Sequence, residues 1–249
     1  LVTWDYRGCG GSTLTDPDGD LSMARHAADA LTILDDLQCD AALWLGWSMG
    51  VQVSLEAIRR VPQRVSGLVA LLGTFGRPFD NAFPRPVGPA LRGAFRWLQR
   101  HPALAQSALD LATAQPRLAF AVLSRGLFVG RDADQAVFAA NVSSVAEIDK
   151  RLYLRQMLAL ADHDAAEVLP EVRCPTLVIC GGRDHLTPPR VARRMATAIP
   201  GARYHEIPGG SHFALIEQAA TINAWIGAFA EEIEAAPAAH ARRRAAGNG

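Results

Sequence analysis

The sequence predicts an α/β fold, with a mostly parallel, doubly wound sheet and a helical insertion. Short apolar runs of strand length alternate with amphipathic helical stretches over 1–76, and the same alternation returns over 165–234. Between them, residues 77–164 contain no convincing strand and several helical stretches punctuated by prolines. We therefore divide the chain into a core formed by 1–76 and 165–234 and an insertion formed by 77–164.

Three strands and two helices are predicted in the first part of the core. Residues 1–5 form a run rich in apolar and β-branched residues that leads into a glycine-rich turn. Residues 21–34 and 51–60 have apolar residues at helical spacing. The unbroken apolar run at 41–45 has the pattern of a strand that is covered on both faces, and 65–72 is predicted to be another buried strand. Strands that alternate with helices in this way are typical of a parallel sheet.

The alternation resumes in the second part of the core. An apolar run predicts a strand at 175–180, a last short strand is predicted at 203–207, and two prolines at 188–189 suit the first turn of a helix that ends near 199. An apolar stripe over 222–229 predicts a closing helix. Residues 235–249 are rich in Ala, Pro, Arg and Gly without periodicity, which predicts a disordered tail.

The insertion is predicted to be helical near 90–100 and near 147–161. In both stretches the apolar residues recur at helical spacing. Packing between helices explains such stripes, so they do not by themselves indicate a ligand.

The composition excludes several classes of function. The 249-residue chain has a formal net charge of zero, so it shows no electrostatic preference for nucleic acid or for an anionic membrane. No apolar run reaches the roughly 20 residues that span a bilayer, and we find no basic-then-apolar segment of the kind that targets secretion. Its four cysteines lack metal-binding spacing, which indicates reduced thiols and a cytoplasmic location. Because metal, nucleotide and flavin motifs are also missing, we expect no cofactor.

The pentapeptide Gly46-Trp47-Ser48-Met49-Gly50 indicates a catalytic nucleophile. It lies between a predicted strand and a predicted helix, the context in which a GxSxG sequence forms a sharp turn that exposes the serine hydroxyl. We expect glycine at both ends of the motif because a tight turn leaves no room there for side chains. A serine needs a base, a group that orients the base, and donors for the oxyanion.

Asp184 and His212 are predicted to complete a triad with Ser48. Each follows a predicted strand, and residues at the carboxyl ends of parallel strands gather at one edge of the sheet. The order Ser, Asp, His is the one expected for a GxSxG nucleophile on such a sheet. Asp80 is a reserve candidate for the acid. The competing histidines lie in less suitable places, and they are His26, His101, His163, His185, His205 and His240.

Four segments together resemble the α/β-hydrolase superfamily, and in particular its esterase, haloperoxidase-like and C–C hydrolase branches. They are Trp4-Asp5-Tyr6-Arg7-Gly8-Cys9-Gly10-Gly11-Ser12, the Ser48 pentapeptide, Gly181-Gly182-Arg183-Asp184-His185-Leu186-Thr187-Pro188-Pro189 and Gly209-Gly210-Ser211-His212-Phe213. The resemblance implies that the insertion is a helical cap over the active site. It also implies structural positions near the site for Asp5 and Arg7.

The resemblance further implies two oxyanion donors, of which this chain contains one. The donor is the backbone N–H of Met49, and the second belongs to a loop that precedes residue 1 in the superfamily. Loss of one donor typically costs about 10²–10³ in turnover. We therefore expect the 249-residue form to be a fragment of a competent enzyme, with weak activity.

The predicted function is hydrolysis of an ester or related acyl bond through an acyl-serine intermediate. An acyltransferase or a C–C bond hydrolase would use the same triad, and a ligand-binding protein without turnover is a further alternative. Dehalogenase and epoxide hydrolase chemistry is disfavoured, because those branches have an aspartate at the position of Ser48. The apolar insertion suggests a small-molecule substrate with a hydrophobic acyl or aryl group. The sequence does not predict the oligomeric state.

Overall fold

The computed structural model describes residues 1–16, 18–83, 86–114, 120–121, 129–130 and 133–246. In this part of the chain the sheet has four strands, which are β1 (Ala42–Trp47), β2 (Val65–Leu71), β3 (Thr176–Gly181) and β4 (Arg203–Ile207). They follow the order β1–β2–β3–β4, and each neighbouring pair is parallel. Each strand overlaps the range predicted for it, so these four predictions are confirmed.

Helices precede, separate and follow the strands. The helices of the described residues are α1 (Met23–Asp36), α2 (Met49–Arg60), α3 (Pro78–Ala82), α4 (Val87–Gln99), α5 (Pro102–Thr113), α6 (Gln135–Glu147), α7 (Lys150–Asp162), α8 (Pro189–Ala198), α9 (Ala214–Glu217) and α10 (Ala219–Ala246). Of these, α3 to α7 lie between β2 and β3, which confirms a helical insertion in an α/β core.

The sheet is buried on both faces, which confirms the doubly wound prediction. Side chains alternate between the faces of a strand. Leu68 and Ala70 of β2 point into a core cluster shared with α1, α2 and α8. Val69 and Leu71 point into a second cluster that contains Phe229 of α10. An apolar run without polar alternation is the result of this double burial.

The two ends of the insertion lie side by side at the edge of the core. Gly76 forms an isolated antiparallel bridge with Asp164, and the N–H of Ala165 donates to the carbonyl of Phe75 at 2.9 Å. The insertion therefore leaves and rejoins the core at one point. The helices predicted near 90–100 and 147–161 correspond to α4 and α7. Helix α6 was not predicted, because its apolar residues form no clear stripe.

The strand predicted at 1–5 is wrong in this structure. Residues 1–6 have no regular secondary structure and pair with no strand in the described part of the chain. An apolar cavity of about 390 Å³ separates them from the outer edge of β1, and its lining includes Trp4 and Leu45. Leu45 is 49% exposed, as expected for an unpaired edge. Side-chain pattern predicts which residues suit a strand, but a strand forms only where a partner lies within hydrogen-bonding distance.

The closing helix continues beyond its predicted end. Helix α10 runs to Ala246 and so enters the segment 235–249 that the composition assigns to a disordered tail. The structure differs from that assignment over 235–246. Alanine and arginine have high helix propensity, which an argument from apolar periodicity does not include. Residues 247–249 lie outside the described residues.

Candidate active site

Ser48 lies in a strained turn between β1 and α2. Its φ of 53° and ψ of −112° are unusual for a residue with a side chain. Its N–H donates to the carbonyl of Leu71 at 3.0 Å, which ties the turn to the end of β2. A Cβ atom at Gly46 would lie 2.3 Å from the carbonyl carbon of Gly50, so only glycine fits at position 46.

The expected lack of room at Gly50 is wrong. A Cβ atom there would meet only the hydroxyl of Tyr6, at 3.6 Å, which is an ordinary van der Waals contact. Steric exclusion therefore acts on the first glycine of the pentapeptide and not on the last.

The structure brings Ser48, His212 and Asp184 together at the carboxyl ends of β1, β4 and β3. The Oγ atom of Ser48 lies 3.0 Å from Nε2 of His212, and Nδ1 of His212 lies 2.9 Å from Oδ2 of Asp184. His212 is 5% exposed and Asp184 is 2% exposed, so the contacts are shielded from water. The geometry allows the imidazole to accept the serine proton while the carboxylate stabilises the imidazolium.

Asp184 is surrounded by donors. Its Oδ1 accepts the backbone N–H groups of Leu186 and Thr187, both at 2.8 Å, and its Oδ2 accepts the Thr187 hydroxyl at 2.6 Å. Burial raises the pKa of Asp184, but the hydrogen bond and charge of His212, together with the bonds from Thr187, lower it below its ordinary value. The carboxylate is thus held ionised beside the imidazole of His212.

The two loops that carry the acid and the base are joined through their backbones. The N–H of Gly182 donates to the carbonyl of Ile207, and the N–H of Arg183 donates to that of Gly210, both at 2.8 Å. A Cβ atom at Gly181 would lie 2.4 Å from the Gly210 oxygen. This close approach fixes the spacing between Asp184 and the loop of the histidine.

Aromatic rings cover one side of the base. The rings of Trp47 and His212 have centroids 5.9 Å apart, and Phe213 lies 6.0 Å from Trp47. Phe138 of α6 packs edge-on against Phe213 at 5.4 Å. This side of the His212 imidazole is therefore apolar, and the insertion contributes Phe138 to it.

The backbone N–H of Met49 is available as an oxyanion donor. It is the first residue of α2, and within the described residues its N–H donates to no protein acceptor. The positive end of a helix dipole favours an anion at this point. Gln156 of α7 is buried nearby, and its Nε2 lies 3.7 Å from the Met49 sulfur.

Sequence reasoning missed Thr187, Gln156 and Glu217. Thr187 follows Asp184 by three residues, a spacing typical of a turn closed by side chains, and that signal was available. Glu217 contacts the loop of His212 from α9. We find no sequence signal that identifies Gln156 or Glu217.

The competing acid and histidines occupy other environments. Asp80 is paired with Arg92 at 2.6 Å. His163 contacts Gln52 and Glu56, whereas His26 is fully buried with both ring nitrogens unpaired in the described part of the chain. His101 stacks on Trp97 and His205 on Trp225. The side chain of His240 lies outside the described residues, and His185 adjoins Asp184.

Asp5 and Arg7 support the turn that follows them. Asp5 accepts the N–H of Gly11 at 2.9 Å through its carboxylate, and the hydroxyl of Ser12 at 2.8 Å through its carbonyl. Arg7 forms a bidentate ion pair with Asp29 of α1. These contacts agree with the structural positions that the resemblance implies.

Neither a metal cluster nor a spanning helix is found in the described ranges. No three His, Cys, Asp or Glu side chains among these residues are grouped so that they could hold a metal ion. None of the described helices combines the length and the apolar character needed to cross a membrane.

Comparisons with known proteins agree with the fold and the motifs. Residues 1–219 match a family model described as alpha/beta hydrolase fold. The pimeloyl-acyl-carrier-protein methyl ester esterase of Aromatoleum aromaticum is 32% identical over 180 residues, 71% of this chain and 67% of that protein. Rhodomycin D methylesterase DnrP of Streptomyces peucetius is 29% identical over 85% of this chain and 74% of its own length. The crystal structure of the enol-lactonase from Burkholderia xenovorans LB400 superposes with a TM-score of 0.67 at 25% identity, covering 90% of this chain and 78% of that one.

Proposed function

The chain belongs to the alpha/beta hydrolase fold family, and on that premise we propose that it cleaves an ester or related acyl bond through Ser48, His212 and Asp184. One observation carries this proposal. The Ser48 hydroxyl, the His212 imidazole and the Asp184 carboxylate form a continuous chain with contacts of 3.0 Å and 2.9 Å. Family members with names such as methylesterase and lactonase act on acyl–oxygen bonds, which supports this reaction type.

In the proposed mechanism, Ser48 attacks the acyl carbon while Nε2 of His212 accepts its proton. Asp184 accepts a hydrogen bond from Nδ1–H, so it fixes the tautomer and stabilises the imidazolium. The N–H of Met49 stabilises the oxyanion at the start of α2. His212 then protonates the leaving alcohol, and water attacks the acyl-serine with His212 again acting as the base.

We also propose that the substrate is a small molecule with a hydrophobic acyl or aryl group. The rings of Trp47 and Phe213 lie beside His212, so a group bound next to the reacting bond would meet apolar surface. Aromatic faces favour such groups because their contact removes apolar area from water.

Labelling with a fluorophosphonate tests the proposed chemistry. The protein, Ser48→Ala and His212→Ala are treated with the probe, and the modified residue is identified by mass spectrometry. Ser144→Ala and His101→Ala serve as controls, because Ser144 lies on α6, His101 immediately precedes α5, and both residues are exposed. We expect one labelled residue, Ser48, and loss of labelling in the two triad variants only.

A series of p-nitrophenyl esters then tests the reaction and the substrate class. Release of the free acid in water, with kcat/KM rising as the acyl chain lengthens, is the expected result. Labelling at a different residue, or ester cleavage that persists in Ser48→Ala, would contradict the proposed mechanism.

A further inference from the structure

The carboxylate of Glu217 accepts hydrogen bonds from both sides of a contact between the core and the insertion. On the core side, Oε1 accepts the hydroxyl of Ser211 and Oε2 accepts its N–H at 3.0 Å. On the insertion side, Oε1 accepts the N–H of Gly130 at 2.6 Å. Three donors therefore converge on one side chain, and none of these donors is a cation.

These bonds fix the two residues that flank the base. Ser211 precedes His212, and its N–H and hydroxyl both donate to Glu217. Phe213 follows His212, and its N–H donates to the Ser211 hydroxyl oxygen at 3.0 Å. The backbone on either side of the imidazole is thus held by one network that ends at Glu217.

The same network includes the insertion. The N–H of Gly130 also lies 3.2 Å from the Ser211 hydroxyl oxygen, and a Cβ atom at Gly130 would lie 2.7 Å from the Glu217 carboxyl carbon. Next to it, Val129 and Phe138 are buried in a small cluster that includes Phe213. Glycine at 130 therefore permits the backbone of the insertion to reach the carboxylate directly.

We propose that Glu217 is a positioning residue that couples the seating of the insertion to the placement of His212. The proposal rests on the proposed function, in which His212 is the base. When Gly130 and the Phe138 cluster are docked, the Glu217 carboxylate is held in place and holds the loop of His212 in turn. Glu217 acts through this loop and does not contact the reacting atoms.

Glu217→Gln tests the proposal with a side chain of nearly the same shape. Glutamine keeps one acceptor oxygen, but its NH₂ group faces a donor, so at least one of the three bonds is lost. We expect kcat to fall by about 10- to 100-fold with KM little changed, because a displacement of about 1 Å in a catalytic group can cost two orders of magnitude. Glu232→Gln is the matched control, because this exposed carboxylate on α10 pairs with Arg203.

Gly130→Ala tests the contact between Glu217 and Gly130 from the side of the insertion. It should lower kcat and the rate of fluorophosphonate labelling in the same direction, because its Cβ would displace the carboxylate. If one network carries both effects, the double variant should lose clearly less than the product of the two single losses. Thermal unfolding of each variant measures the folded fraction, to which the rates are normalised.

The outcomes separate this proposal from the proposed function. An unchanged kcat per folded molecule in Glu217→Gln, or independent effects of the two substitutions, would overturn the coupling while Ser48 remained labelled. A Glu217→Gln variant that loses thermal stability but keeps kcat would assign a structural role only. Failure of the proposed function would instead appear as activity that survives Ser48→Ala.

Discussion

Asp184→Asn tests the triad through the tautomer of His212. The two backbone N–H groups at Oδ1 are donors, so the amide oxygen of Asn must occupy that position. The amide NH₂ then takes the position of Oδ2, which lies 2.9 Å from Nδ1 of His212. Because two donors cannot pair, Nδ1 must become the acceptor, and the ring proton moves to Nε2.

The expected loss follows from that proton. With a hydrogen on Nε2, the imidazole donates to the Ser48 oxygen and cannot accept its proton. The wrong tautomer in the same arrangement of a serine protease lowers kcat by about 10⁴-fold, which corresponds to about 5.5 kcal/mol. We expect a loss of this size with the fold retained, because the Thr187 hydroxyl can rotate to accept from the new amide.

Steady-state hydrolysis of a p-nitrophenyl ester and the rate of fluorophosphonate labelling measure the effect. Asp80→Asn is the matched control, because it changes the reserve acid, which is paired with Arg92. We expect its kcat to stay close to that of the parent protein. Retention of more than about a tenth of kcat in Asp184→Asn would refute the tautomer argument, and a large loss in Asp80→Asn would reassign the acid.

Three further substitutions test the contacts that hold Asp184, α2 and the turn of Ser48 in place. Thr187→Val removes a donor to Asp184, so kcat should fall about 10-fold. Acid unfolding should also move to higher pH, because stability from a lowered carboxylate pKa exists above about pH 4 and is lost as the pH falls through the folded-state pKa. Burial raises the pKa of Glu56, but a histidine and two arginines lower it to about 2. Glu56→Gln should therefore cost about 2 kcal/mol in urea unfolding at pH 7, and the difference should shrink between about pH 4.5 and 2. Gly46→Ala should abolish fluorophosphonate labelling, whereas Gly93→Ala, whose Cβ has free space, should not.

The strands of the core were predictable because parallel strands are buried on both faces. The runs at 41–45 and 65–72 need no partner to be recognised, since nearly every residue in them is apolar. The prediction failed at 1–5, where a similar pattern lies across a cavity from β1. Over 235–246, where the composition predicts a disordered tail, α10 continues without an apolar stripe. A strand requires a pairing partner, and a helix depends on the helix propensity of its residues. The apolar pattern gives information on neither of these.

The proximity of Ser48, Asp184 and His212 was predictable because topology brings these residues together. In a parallel sheet the residues after β1, β3 and β4 meet at one edge whatever the loops contain. Thr187 could have been found from its spacing to Asp184, whereas Glu217 could not, because its role depends on how α9 folds back onto the loop of His212. A carboxylate on a short helix has many partners available, and its position in the sequence does not select among them.

Each of the three residues of the proposed triad is held by neighbours outside it. The N–H of Ser48 is tied to the Leu71 carbonyl, the Asp184 carboxylate accepts two N–H groups of its own loop, and the loop of His212 is joined to Glu217. The three groups are therefore oriented before any substrate binds. This orientation does not depend on the contacts that the three groups make with one another. Such preorganisation is what makes hydrogen-bonding groups effective in catalysis, because little reorganisation remains to be done as charge develops. It follows that loss of one member should leave the other two in place, so Ser48→Ala should keep the contact between Asp184 and His212 intact.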